Sequence, residues 1–308
     1  MLVSLSMREV LFLKKILTLL LTGIILVSCF SISAFADVSS TNTRTVIGAD
    51  LTEDQISSVY STFGIARGSV PELTMTNQKE REELEGLVDS SLIGSKSISC
   101  VYVSLPADGS GLNVTTSENI TWCTSQMYIS ALATAGITDA TIIVAAPFPV
   151  SGTAALSGVF WAYEDITGNK LDDTAKLAAT QELTISGDLA QELGEMDATL
   201  IINDLKLMLN ETQNMSDDEL RSEIIEIASQ YNTTLTDAQI TKLIELCRSL
   251  EGLDDDALLQ RIQQVQSTLK TINETQAKIS TFTEKAAKVV TSVKSFFDKI
   301  GSIIGYFG

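Results

Sequence analysis

The chain has 308 residues, with 21 basic and 39 acidic side chains, a formal charge of −18 and no histidine. An apolar content of 44% is enough for a packed core and excludes wholesale disorder. The missing His excludes a Ser-His-Asp triad, a Cys-His dyad and any His-containing zinc site, and the acidic balance argues against nucleic-acid binding.

Residues 1–36 read as an address. Arg8, Lys14 and Lys15 precede an apolar run from Ile16 to Val27, and Ala34-Phe35-Ala36 follows just before Asp37. A positive start, a short apolar stretch and an Ala-x-Ala site make a secretory signal peptide cleaved after Ala36, which predicts a secreted or extracellular protein. Two alternatives stand beside it. Leu26–Cys29 fits a lipobox, which would leave a lipoprotein anchored through an acylated Cys29. The same apolar run could also serve as an N-terminal membrane anchor, although it is short for a span. Removal of 1–36 takes away three cations and one acid, so the remaining chain is more anionic still.

From Asp37 the pattern alternates. Arg44–Ile47 is a short β-prone run. Thr52–Gln55 is a capping box for a helix to Phe63, with Ile56, Val59, Tyr60 and Phe63 at helical spacing. Val70–Thr76 reads as strand, and Asn77–Glu80 caps a helix running to about Val88. Ser97–Leu105 alternates polar and apolar residues, Asp108–Gly111 supplies a turn, and Leu112–Thr116 returns as the second arm of a hairpin. A helix over Ser125–Thr134 ends at Gly136. Ala140–Ala146 reads as a buried strand bounded by Pro147 and Pro149, and an apolar helix runs from about Gly152 to Asp165.

From Asp172 onward there is no strand signal and no Pro. Helices are predicted over about 172–192, 197–211, 216–230, 236–250, 254–275 and 278–305, with capping boxes at Ser216–Glu219 and Thr236–Gln239. The fold class is therefore α+β (mixed α/β): a small mixed sheet with packed helices over 37–168, then an all-helical region over 169–276. The C-terminal amphipathic helix over 277–308 puts Val289, Val293, Phe296, Phe297, Ile300, Ile303, Ile304 and Phe307 on one stripe. Five Lys oppose Glu284 and Asp298 in that segment. Its stripe could lie in a membrane surface, dock on the acidic body, or pair with a second copy as an oligomer contact.

Several stretches together resemble one family. They are Gly48–Thr52, Ile93–Ser99, Gly111–Val114, Ile120–Trp122, Met127–Leu132, Ala135–Ile137 and, most specific, Ala145–Gly158, ending near Ala162–Glu164. The chain resembles the YpuA-like secreted bacterial family, catalogued as domain of unknown function 1002. The resemblance covers Thr45 to Glu182 closely and extends loosely through the helical remainder. It implies an exported bacterial protein of a spore-forming Gram-positive lineage. It implies no reaction and carries over no functional residue, and the cysteines are not part of the pattern.

Candidate chemistry is sparse. Cys100 and Cys123 flank the predicted hairpin and are the candidate disulfide in an exported chain. The competing reading takes them, with Cys247, as small buried apolar residues. Gly94–Ser97 has Gly-Ser-Lys-Ser but not the P-loop spacing, so no nucleotide site is expected. Ser267-x-x-Lys270 lacks the companion motifs of serine acylases. Asp217-Asp218 and Asp254–Asp256 sit where helices start and complement the helix dipole; no metal site is expected of them beyond weak surface Ca²⁺. Glu80–Glu83 reads as a solvated helix face. Ser151, Gly152 and Thr153 lie between a buried strand and a helix start, where an anion or other small ligand could sit; the same residues also serve as a cap, and Ala154, Ala155, Gly158 and Ala162 favour close packing.

These readings converge on a non-catalytic binding or structural module at the cell envelope or outside the cell. The alternatives are a His-independent hydrolase of an envelope polymer, using carboxylates or a Ser-type nucleophile, and a lipid-surface-binding protein acting through its last helix. Two facing carboxylates with shifted pKa in a deep cleft would favour the hydrolase. The expected partners are a membrane surface or envelope component, with no cofactor, nucleotide or nucleic acid.

Overall fold

A computed structural model describes residues 42–84, 93–107, 109–253, 256–266, 268–269 and 272. The candidate signal peptide with Cys29 and the stripe from Val289 to Phe307 lie outside the described residues, as do Asp254, Asp255, Ser267 and Lys270.

The elements run β1 (Thr43–Gly48), α1 (Glu53–Phe63), β2 (Glu72–Met75), α2 (Asn77–Leu84), β3 (Cys100–Ser104), β4 (Leu112–Thr116), α3 (Ser125–Thr134), β5 (Ala140–Ala145) and α4 (Ala154–Thr167). Helices follow: α5 (Asp173–Leu193), α6 (Glu195–Leu207), the single turn α7 (Leu209–Thr212), α8 (Asp217–Gln230), α9 (Asp237–Leu250) and a last one over 256–266. The fold is mixed α+β with a helical C-terminal region, as the sequence pattern predicts. The boxes at Thr52, Ser216 and Thr236 all form, each hydroxyl accepting from the N3 backbone N–H while the N3 side chain returns to the cap. At α2 the cap is Thr76 rather than Asn77, its Oγ1 accepting from Lys79 N at 3.2 Å. That shift of one residue takes Glu80 out of the reciprocal position and leaves its carboxylate for another partner.

The sheet has the order β2-β1-β3-β5-β4. The predicted hairpin is corrected here: β3 and β4 are not neighbours, because β5 lies between them, antiparallel to β3 and parallel to β4. The reason lies in composition. Ala140–Ala145 is almost continuously apolar and suits a strand covered on both faces, whereas β4 exposes Asn113 and suits an edge. Helix α3 connects β4 to β5, and α1 connects β1 to its parallel neighbour β2. Strands β1, β2, β4 and β5 therefore point the same way, against β3.

Alternation assigns the faces. Ile47, Cys100, Tyr102 and Ala145 pack under Ile56, Val59, Tyr60 and Phe63 of α1. Val46, Val101, Val103, Val114, Ile142 and Val144 face the other way, into a cluster with α3 and α4 that continues without a break through the helical region to Leu269. Each large side chain fully buried there contributes about 1.5–3 kcal/mol. Gly158 lets α4 lie flat on the sheet: a Cβ there would stand 3.3 Å from Val101. Helix α5 lies against Trp122 in the same manner, since a Cβ at Gly187 would fall 2.2 Å from the indole ring.

The cysteine expectation also resolves. Cys100, Cys123 and Cys247 are buried free thiols, so no bond joins Cys100 to Cys123 in this structure. Cys100 packs beneath α1, while Cys123 lies in the cluster on the opposite face of the sheet. Burial pushes each thiol up to about 12, so all three remain protonated and unreactive at neutral pH.

Candidate functional site

Four strands end at one edge of the sheet, the position where open α/β sheets place their ligands. A cavity of about 450 Å³ lies there, lined by the segment leading into β3 (Ile93, Gly94, Ser95, Lys96, Ile98, Ser99), the loop after β5 (Phe148, Val150, Ser151) and Ala154 at the start of α4. Ser151 is thus in the wall. Gly152 and Thr153 are buried behind it. Thr153 has helical backbone angles, and its side chain makes no capping bond to α4. Its hydroxyl lies 3.3 Å from that of Ser151.

Both walls are pinned from behind. A strap over Asn119–Cys123 runs beside the loop after β5: Val150 N donates to Asn119 O at 2.9 Å, Thr121 N to Val150 O at 2.9 Å, and Cys123 N to Ser151 O at 3.0 Å. The Tyr128 hydroxyl, fully buried, donates to Gly152 O at 2.5 Å. Gly152 holds φ at +95°, and a Cβ there would come within 2.6 Å of Ile120, so only glycine fits this turn. On the other wall, Arg81 Nη2 donates to Gly94 O at 2.5 Å. Ser97 N donates to Asp50 Oδ2 at 2.7 Å, and Ser97 Oγ donates to Glu80 Oε1 at 2.6 Å.

Glu80 corrects the reading of Glu80–Glu83 as a solvated face. It is 1% exposed, and its Oε2 has no hydrogen-bond partner. Burial pushes its carboxyl up to about 7; the Ser97 and Asn77 side chains oppose that rise, and the nearby Asp50 charge adds to it. Glu80 lines neither this cavity nor a second one of about 200 Å³ between α2, α4 and α5. Two facing carboxylates with raised pKa line neither of these two cavities.

A second polar cluster went unread in the sequence. Lys206 Nζ lies 2.7 Å from Glu182 Oε1, 2.8 Å from Ser130 Oγ and 3.2 Å from Thr134 Oγ1. Ser130 and Thr134 both donate to Glu182, and Asn203 stands beside them. Burial lowers the Lys206 pKa and the Glu182 charge opposes the shift. A serine hydroxyl against a lysine amine is chemistry suited to a nucleophile and its base. Here Ser130 is buried and the ion pair is 1% and 0% exposed, and no residue of the cluster lines either cavity. The arrangement ties α3, α5 and α6 together and gives a substrate no access. Its one trace in the sequence is the Ser130–Thr134 pair, one turn apart on a helix that is otherwise apolar from Met127 onward.

Asp217 starts α8 and pairs with Arg248 at 2.9 Å, which accounts for it as a helix-start charge. Among the described residues no group of three or more Cys, Asp or Glu side chains is placed to hold a metal, and no helix is long and apolar enough to cross a membrane.

Comparison with known proteins agrees with the resemblance read from the motifs. The model of a family described as protein of unknown function (DUF1002) matches residues 47–272. The chain belongs to the DUF1002 family. It is 34% identical over 246 residues to the uncharacterized protein YpuA of Bacillus subtilis (strain 168), an alignment covering 79% of this chain and 83% of that one. No solved structure matches the chain at a significant level. The DUF1002 match takes in both walls of the cavity, the strap and the buried ion pair, and so treats the sheet and the helices as one unit.

Proposed function

We propose that this DUF1002 protein is an exported, non-catalytic binding module that works at the cell envelope or outside the cell and takes a small ligand at the carboxyl edge of its sheet. The observation that carries the reading is the cavity itself: both walls are fixed by hydrogen bonds to the strap, to Arg81 and to the two carboxylates behind Ser97. A site held in shape beforehand loses little freedom on binding. The signal-like start supports export. The hydrolase reading has less support, because the Ser130–Lys206 pair is sealed from solvent.

Expression of the full chain in a Gram-positive host, followed by intact mass on medium, wall and membrane fractions, tests the reading. Product beginning at Asp37 in the medium or wall is the expected result. An acylated Cys29 terminus in the membrane fraction would give the anchored form of the same module. Full-length chain retained in the cytosol would overturn export. Release of fragments from purified cell-wall polymer, abolished by Ser130→Ala, would replace the binding module with the hydrolase.

A further inference from the structure

We propose that the cavity at the carboxyl edge binds a small organic oxyanion, a carboxylate or phosphate monoester carried on a short apolar frame. The inference rests on the binding-module reading and adds the chemical class of the ligand.

Charge is the first ground. Lys96 is exposed and is the only charged residue among the described residues lining the cavity. The other described cations are engaged by carboxylates, carbonyls, amides or, for Lys79, the ring of Trp161, and Arg261 too is not free. Lys96 alone among them has no ion pair, hydrogen bond or ring contact. An acidic chain has many carboxylates with which to neutralise a lysine, yet this ammonium is left for something else.

A hydroxyl is the second ground. Ser99 is 9% exposed and lines the cavity. Continuing the alternation of β3, it shares the face of Val101 and Val103, toward α4. A hydroxyl in the cavity wall can donate to an acceptor placed there. Lys96 and Ser99 are both donors, and an oxyanion satisfies both. The first turn of α4 opens on the same space through Ala154 and adds its partial positive charge.

Besides Gly94 and the hydroxyls of Ser95 and Ser151, the remaining lining is apolar: Ile93, Ile98, Phe148, Val150 and Ala154. Phe148 is 39% exposed, a large side chain without full cover. The volume is in the ordinary range for small-molecule sites, about 300–1,000 Å³. A bare inorganic anion would leave this surface wet; an apolar frame behind the charged head would cover it. The negative net charge of the chain does not forbid the match, because charges beyond about 8 Å are largely screened at physiological salt.

The test is titration calorimetry of the mature protein with four probes on one frame: phenylbutyrate, phenylbutyl phosphate, phenylbutanol and phenylbutylamine. Either anion is expected to bind at least about tenfold more tightly than the alcohol, with the amine weakest, and the better of the two names the head group. Lys96→Gln, at an exposed position, should weaken the anions about tenfold and leave the alcohol unchanged. Ser99→Ala should weaken the anions with no change in Tm. Anions no tighter than the alcohol, or indifferent to Lys96→Gln, would overturn the oxyanion class. If the alcohol then binds and Ser95→Trp at the rim abolishes it, the binding module survives that result. If no probe binds, or Ser95→Trp leaves binding intact, the cavity is not the site and both readings fall.

Discussion

Ser97 holds two carboxylates at once, Asp50 through its backbone N–H and Glu80 through its hydroxyl. Of the two, Glu80 is the one inside, and its carboxyl titrates near 7 because burial disfavours the charged form. The linkage sign follows. Below about pH 4.5 both folded and unfolded states carry the proton, and the residue costs nothing. Between that value and about 7 the folded state keeps a proton that the unfolded state has released, so stability falls as pH rises. Above the folded value the loss is complete, at about 3 kcal/mol. Glu80→Gln keeps the oxygen that accepts from Ser97 and removes the titration. Urea midpoints should therefore show the variant more stable than wild type at pH 8 by roughly that amount, with the gap closing toward pH 4.5. A difference independent of pH would show that Glu80 is ionised in the fold. The sequence could not place this residue: Glu80-Arg-Glu-Glu looks like a solvated face until the segment from Ile93 to Ser97 closes over its first member.

Helix positions were legible because caps and periodicity are local. The Thr52, Ser216 and Thr236 boxes mark three starts to the residue. Strand partners were not legible, since the choice between a β3–β4 hairpin and an inserted β5 depends on which strand is covered on both faces. The buried pair between α5 and α6 was hidden for a related reason: Glu182 and Lys206 look like ordinary surface charges until α3 covers them. Such a pair is informative under mutation. Removing one partner strands the other charge in the core, so Lys206→Met and Glu182→Gln should each cost about 3–5 kcal/mol. The double variant should cost much less than the sum, because no charge is left unpaired. A denaturant double-mutant cycle measures this directly. Additive losses would mean that the two side chains do not depend on each other in the folded protein.

At the scale of the molecule, the sheet and the helices share one core. Reading the chain as an α/β domain over 37–168 with a helical region after it follows the change in local pattern, which reports element type and not packing. Val46 of β1 and Leu269 of the last described helix belong to the same apolar cluster, and the family match over 47–272 has nearly the same limits. Helix α3 is buried along its length, with the sheet on one side and Glu182 and Lys206 on the other. The strap that fixes the cavity is backed in turn by α5, through the close approach of Gly187 to Trp122. A chain ending at Gly168 would expose that face of α3 and unclamp the strap. It should lack a cooperative thermal transition and bind a hydrophobic dye, as compact states without fixed packing do. A chain ending at Ala277 keeps every described member of the cluster and should melt close to the full mature protein. A sharp transition in the shorter chain would show that the sheet folds alone. The cavity would then have to keep its shape without α5, and a probe that bound the shorter chain as tightly as the full one would place the ligand's support entirely within the first half.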